Sequence, residues 1–138
     1  MKRSALLVTI LPIVVTPYLI FEYLPAVWSA ARVAGLAILV TAMALLVLAR
    51  VQLGNSFSVA PQATQLVTHG LYSRIRNPVY VFSALALAGF ILYLGQQNLL
   101  CIFAVLLPLQ ILRARAEARV LEQRFGEQYR QYRASTWF

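Results

Sequence analysis

Charge is scarce in this chain, and so are the residues that usually bind metals or form cross-links. Only 12% of its 138 residues are charged, whereas 61% are hydrophobic. Soluble domains average roughly 25% charged and about 45–50% apolar, so this composition excludes an ordinary soluble domain. The single cysteine, Cys101, rules out an intramolecular disulfide framework, and its apolar surroundings predict a buried core thiol. The single histidine, His69, has no His or Cys near it in sequence, so no zinc, haem or other metal site is expected. Acidic residues number four against twelve basic ones, a net charge of +8. A nucleic-acid binder would gather its arginines into one stripe interleaved with aromatics. Here they flank hydrophobic segments, which excludes nucleic acid as a partner and points to membrane orientation and lipid headgroups. The length suits one compact domain.

What is present is a series of apolar runs. They predict an all-α integral membrane bundle with about four transmembrane helices, at residues 5–24, 33–49, 78–95 and 99–112. The first run is too long for a signal-peptide core and carries Pro12 and Pro17, so it reads as a retained, bent helix. The second lies between Arg32 and Arg50 and must borrow flanking residues to cross. Its Gly35, Ala37, Ala42 and Ala44 offer small surfaces for close helix approach. Residues 51–77, punctuated by Gly54-Asn55-Ser56, Pro61 and Gly70, read as a cytoplasmic loop. Pro78 suits the first position of the third helix, where its missing N–H costs nothing. Gly95-Gln96-Gln97-Asn98 reads as a tight turn into the fourth, which is short, carries Pro108, and either tilts or runs on into the tail. Eleven of the twelve basic residues fall on one side under this scheme, Arg32 being the exception. The positive-inside rule then places both termini in the cytoplasm, as expected of a multi-pass protein of a bacterial inner membrane.

Residues 113–138 differ from the rest. Glu117, Leu121 and Phe125 recur every four residues and Tyr129 and Tyr132 continue the stripe, so the tail reads as a cytoplasmic amphipathic helix. Glu117 stands on the apolar stripe, where a carboxylate requires a partner, either an arginine or a cationic ligand. On the same cytoplasmic side, the 69–80 segment packs His69, Gly70, Tyr72, Arg74, Arg76 and Tyr80 immediately before a helix. Composition alone leaves two readings of it, a positive-inside anchor or a binding site.

Two motifs carry a resemblance. Gly70-Leu71-Tyr72 followed by Arg76-Asn77-Pro78-Val79-Tyr80, and then Glu117 through Leu121, Phe125-Gly126 and Tyr129 to Tyr132, are similar to the two signatures of the isoprenylcysteine carboxyl methyltransferase family. That family is a phospholipid-methyltransferase-related group of integral membrane enzymes. The likeness covers roughly residues 50–133 and extends to Leu53-Gly54-Asn55 and Leu66-Val67. It implies S-adenosylmethionine as methyl donor, released as S-adenosylhomocysteine, and a lipophilic or lipid acceptor reaching the cytoplasmic face from the bilayer. It also implies Arg76, Asn77 and Glu117 as catalytic residues. The implied cofactor contacts are Gly70, Tyr72, Arg76, Pro78, Tyr80, Glu117, Leu121, Phe125, Tyr129 and Tyr132. Chemically, Arg76 or Arg74 suits the cofactor's carboxylate, Glu117 its ammonium, and the aromatic rings its adenine or sulfonium. Gly70 and Gly126 would permit close backbone approach.

Two positions depart from the pattern. Asn77 stands where histidine is commoner and cannot titrate; Ala118 stands where a second glutamate is frequent and leaves Glu117 without that neighbour. The only base suited to neutral pH is His69, so positioning is expected to dominate the chemistry. Two rival readings are an inactive structural relative and a small four-helix cation transporter, which would use Glu22 as its embedded carboxylate.

Overall fold

The computed structural model describes residues 3–54 and 66–138, with side chains from Ile10 onward. The described residues form five α-helices: α1 (Arg3–Glu22), α2 (Ala30–Leu53), α3 (Pro78–Leu94), α4 (Phe103–Phe125) and α5 (Glu127–Ser135). Two short 3₁₀ turns, Gly70–Ser73 and Gln97–Ile102, precede α3 and α4. Asn55, Ser56 and Pro61 of the expected loop lie outside the described residues, as does Lys2. Two segments are long and apolar enough to cross a membrane, α2 and the continuous stretch Gln97–Phe125; α3 and the Ile10–Glu22 part of α1 are apolar but shorter.

Local chemistry explains where these helices begin and stop. Ser29 caps α2 by accepting the Arg32 N–H at 3.3 Å. The helix then runs 24 residues, about 36 Å at 1.5 Å per residue, so it supplies from its own flanks the length that residues 33–49 lack. Pro78 opens α3 at its first turn, and Gly95 ends it in the left-handed conformation, φ 72°.

The core lies between α2 and α3. A Cβ on Gly35 would stand 2.5 Å from the Tyr93 backbone nitrogen, and one on Gly89 would stand 2.6 Å from that of Leu39. Neither position has room for a side chain, so the two backbones cross in direct contact. Leu39, Ala42 and Ala86 are buried beside this crossing, with Ile20, Met43 and Phe90 packed against them. At the far end Tyr93, fully buried, donates its hydroxyl to the Ile20 carbonyl at 2.6 Å. That carbonyl lies in the last turn of α1 and has no helical partner of its own, so one hydrogen bond ties α1 to α3.

Two expectations change, and one open alternative is resolved. Of the two courses read for the fourth apolar run, α4 takes the one that runs on into the tail, continuing unbroken through Pro108 to Phe125. The tail is therefore not one amphipathic helix over 113–138. Gly126, at φ 49°, breaks it, and α5 starts in a new direction. Exposed pairs from Arg130 to Glu122 (3.1 Å) and to Glu127 (3.6 Å) brace that break. Cys101 is exposed, because no residue of the 3₁₀ turn before α4 is buried against the rest of the molecule.

Candidate functional site

The C-terminal end of α2, the Gly70–Ser73 turn, the N-terminal end of α3, the distal half of α4 and all of α5 meet at one end of the molecule. Gly70 adopts φ 62°, and a Cβ there would collide with the Gln52 side chain. The same side chain receives the Leu71 N–H on Oε1 at 2.8 Å. The positive φ at position 70 favours glycine, and a side chain there would push the Gln52 amide away from the Leu71 N–H. The turn it starts sets Tyr72 into the interior, 6% exposed. Tyr132 of α5 donates its hydroxyl to the Tyr72 carbonyl at 2.7 Å, joining the tail to the turn.

Residues 74–77 are held from the other side by the last two residues of the chain. Trp137 donates its N–H to the Arg74 carbonyl at 3.1 Å. Its own carbonyl accepts the Arg76 N–H at 3.1 Å, and the Phe138 carbonyl accepts the Asn77 N–H at 2.9 Å. This is a short parallel pairing centred on Ile75 and Trp137. Arg76 therefore projects from a backbone fixed at both ends, and buried Pro78 begins α3 two residues later.

Glu117, one turn beyond Arg113 on α4, accepts the Tyr80 hydroxyl at 2.6 Å and lies 3.6 Å from the Arg113 guanidinium. The expectation that this carboxylate needs a partner is met from within the protein, by both. The arginine is the one four residues upstream, on the same helical face as Glu117. That pair is partly exposed, 47% for Arg113 and 29% for Glu117, so screening keeps it weak; the short hydrogen bond is the stronger tie.

Electrostatically the tyrosines form one group. Burial pushes the Tyr72 hydroxyl well above the usual phenol range; nearby Arg50 opposes this, while Tyr132 and Glu117 add to it. Burial also raises Tyr129, against the pull of Arg76 and Arg133. Tyr132 is pushed up to about 12 by burial and by Tyr129, with Arg76 opposing. The Tyr129 and Tyr132 rings lie 6.3 Å apart and tilted. All three phenols stay protonated near neutral pH and can act as hydrogen-bond donors.

Of the residues singled out in the sequence, Gly70, Tyr72, Arg76, Asn77, Pro78, Tyr80, Glu117, Tyr129 and Tyr132 come together here. Asn77 precedes α3 but makes no side-chain cap bond. Leu121 and Phe125 follow on α4 and are half-buried, with the Arg124 guanidinium 6.0 Å from the Phe125 ring. Gly126 has open space where a Cβ would stand, so its role is the break between helices and not close approach. His69 is exposed, and Glu22 is exposed at the end of α1. Sequence reasoning missed three contributors. Arg50, 7% exposed, looked like a boundary cation. Gln52 looked like the start of a polar loop, and the Trp137-Phe138 pair had no periodicity to mark it. For Arg50 the one available signal was an arginine closing the uncharged run 33–49.

A family model described as phospholipid methyltransferase matches residues 28–128. No curated protein and no solved structure matches the chain.

Proposed function

The chain belongs to the phospholipid methyltransferase family, and from that premise we propose that it transfers a methyl group from S-adenosylmethionine to a lipophilic, membrane-partitioned acceptor. The reaction takes place at the cytoplasmic end of a four-span bundle with both termini inside. The observation that carries this reading is the convergence of Arg76, Glu117 and the buried tyrosines at one end of α2 and α3.

The residues suit the cofactor. The Tyr72 hydroxyl is buried with no hydrogen-bond partner among the described residues, and an unsatisfied buried donor is costly unless a ligand completes it. It lies within electrostatic reach of Arg50, Tyr132 and Glu117, a mixture of charges matched to a zwitterion. Arg76 would hold the carboxylate through its forked donors. Glu117, its geometry fixed by Tyr80, would accept the ammonium. Tyr129 and Tyr132 would present ring faces to a cation and exclude water. When bound, S-adenosylmethionine supplies a sulfonium-activated methyl group that passes to an acceptor lone pair.

The chain's contribution is positioning. The Tyr132–Tyr72 bond and the Trp137 pairing fix the turn and Arg76 against each other, which is how a rigid site lowers the entropic part of a barrier. Asn77 offers a non-titrating polar contact beside Arg76. Carboxylate, thiol and amine acceptors all fit this level of description.

The test is activity. Protein purified in detergent and supplied with methyl-labelled S-adenosylmethionine and a bacterial lipid extract should move label into the organic phase. Arg76→Ala and Glu117→Ala should each lower that rate at least about tenfold. Well-folded protein that moves no label would defeat the proposal.

A further inference from the structure

Trp137 and Phe138 support the site through their backbone alone, and their side chains are left over. Trp137 is 59% exposed, and Phe138 is exposed beside it. Both are nonetheless pinned, Trp137 by Arg74 and Arg76 and Phe138 by Asn77. The pairing is parallel, so Phe138 stands beside the residue that precedes Pro78, the first residue of apolar α3. Trp137 stands one step farther out, about 3.3 Å along an extended chain. If α3 spans the bilayer, that level is the headgroup layer, where tryptophan is enriched.

Cations rim the two aromatics. Arg74, whose carbonyl accepts the Trp137 N–H, is exposed, and so is Arg133 in the last turn of α5. The ion pairs described at this end join Arg113 to Glu117, and Arg130 to Glu122 and Glu127; neither Arg74 nor Arg133 takes part in them. Arg133 and Arg76 both act electrostatically on Tyr129, so the rim reaches the donor cluster. Exposed apolar surface rimmed by polar residues marks an interaction site, and this rim selects anions. Anionic phospholipids already lie at that level, and they offer phosphate to arginine and an interface to indole.

We infer that Trp137, Phe138, Arg74 and Arg133 form a docking surface for anionic phospholipid headgroups, and that lipid seated there holds residues 74–77 in the geometry that binds the methyl donor. The inference rests on the methyltransferase reading and its four-span topology, and adds a regulator to that site. The connection is short, because the Trp137 carbonyl accepts the N–H of Arg76 itself. Lipid that favours this pairing raises donor affinity, and bound donor favours the lipid by the same factor.

The experiment uses the full chain carrying Trp28→Phe, which leaves Trp137 as the single tryptophan. It is placed in nanodiscs of phosphatidylcholine, with or without phosphatidylglycerol. Quenching by lipids brominated near the headgroup or near the chain end reads the depth of the ring, and calorimetry with S-adenosylhomocysteine reads donor affinity. Shallow bromines should quench Trp137 strongly and deep ones weakly. S-adenosylhomocysteine should bind about fivefold more tightly with phosphatidylglycerol present, the attraction of roughly one arginine to an anionic surface. Arg133→Gln should cut that gain to about twofold and leave affinity in phosphatidylcholine within about twofold of the parent. Trp137→Pro deletes the N–H given to Arg74 and should abolish the gain; if it does not fold, Trp137→Ala should remove most of it. Inorganic phosphate added to phosphatidylcholine discs should not reproduce it.

A ring quenched by neither lipid, or chiefly by the deep bromines, would overturn the docking. Equal affinity in the two discs, or a gain that free phosphate reproduces, would overturn its connection to the donor site. No S-adenosylhomocysteine binding in either disc, with Trp137 still quenched by shallow bromines, would instead contradict the methyltransferase reading and leave the docking standing.

Discussion

Between α2 and α3 the backbones touch at Gly35 and Gly89; α3 and α4 meet through side-chain tips, Tyr80 to Glu117 and Ser83 to Gln110. The first contact is made of small residues and has no tolerance for added atoms. The second is polar, with Arg113 also bonded to the Tyr80 side chain and paired with Glu117. Much of α4 is also uncovered by the rest of the chain, with Val105 63% and Leu112 60% exposed, which in a bilayer means contact with lipid. The two regions divide the labour physically. At the Gly35–Gly89 crossing the backbone contact leaves no room for a ligand, although an open apolar groove lined by Ala37, Thr41, Leu45, Phe82 and Leu85 lies along the same two helices; a seam spanned by long polar side chains can open around a ligand. α5 and the last residues brace the turn that precedes α3, through Tyr132 to Tyr72 and Trp137 to Arg74 and Arg76.

The largest expected effect breaks the first region. Gly35→Leu or Gly89→Leu would force α2 and α3 apart and should cost at least about 3 kcal/mol, read as loss of cooperative thermal unfolding in detergent. Gly89→Ala should cost less, in the range of about 1–3 kcal/mol. If either leucine variant melted like wild type, the glycine crossing would not be the structural seam.

The next effect separates the regions. Tyr80→Phe removes the 2.6 Å hydrogen bond to Glu117 but leaves the α2–α3 crossing intact. Hydrogen bonds to charged groups are worth about 1.5–3 kcal/mol. Donor binding should fall about tenfold while the melting midpoint moves little. An equal loss of stability and binding would mean that the α3–α4 seam is scaffold too.

How much of this was legible beforehand follows from the same contrast. Helices announce themselves through continuous apolar runs, so the all-helical class and Pro78 at the start of α3 could be read directly. Gly35 could be read as a close-approach residue, but its opposite, Gly89, could not, because nothing local tells which residue of a distant helix will face it. The cluster of Arg76, Tyr80 and Glu117 was visible as two motifs in the sequence. What it lacked was Arg50 and Gln52, contributed from α2 by tertiary contact, and the backbone pairing of Trp137 with Arg74 and Arg76, which leaves no trace in side-chain pattern. Gly126 was read as a place of close backbone approach within one continuous tail helix, because period counting ignores the one residue whose positive φ ends a helix. Ser83 and Gln110 were overlooked for a related reason: a single uncharged polar residue barely disturbs an apolar run.

Smaller effects refine the outer support. Tyr132→Phe frees the Tyr72 carbonyl and should cost about 1 kcal/mol, seen as a modest drop in melting midpoint with a smaller loss of donor binding than Tyr80→Phe gives. The smallest is a pH effect. The Tyr132 hydroxyl is raised to about 12 in the folded protein, against about 10 in an unfolded chain. The folded state therefore holds its proton where the unfolded state has lost it. Its stabilising contribution is complete below about pH 10 and is lost as pH rises toward 12. Tyr132→Phe should flatten part of that alkaline decline, and a decline unchanged in the variant would assign it to Tyr72 or Tyr129.

The most direct measurement of the central claim, that this end of the molecule is a methyl-donor site, is calorimetric titration of the detergent-purified protein with S-adenosylhomocysteine. Saturable binding in the micromolar range is expected for wild type, weakened at least about tenfold in Arg76→Ala and in Glu117→Ala, with unfolding midpoints close to wild type. Absence of binding to folded wild-type protein, or binding that neither substitution disturbs, would contradict it.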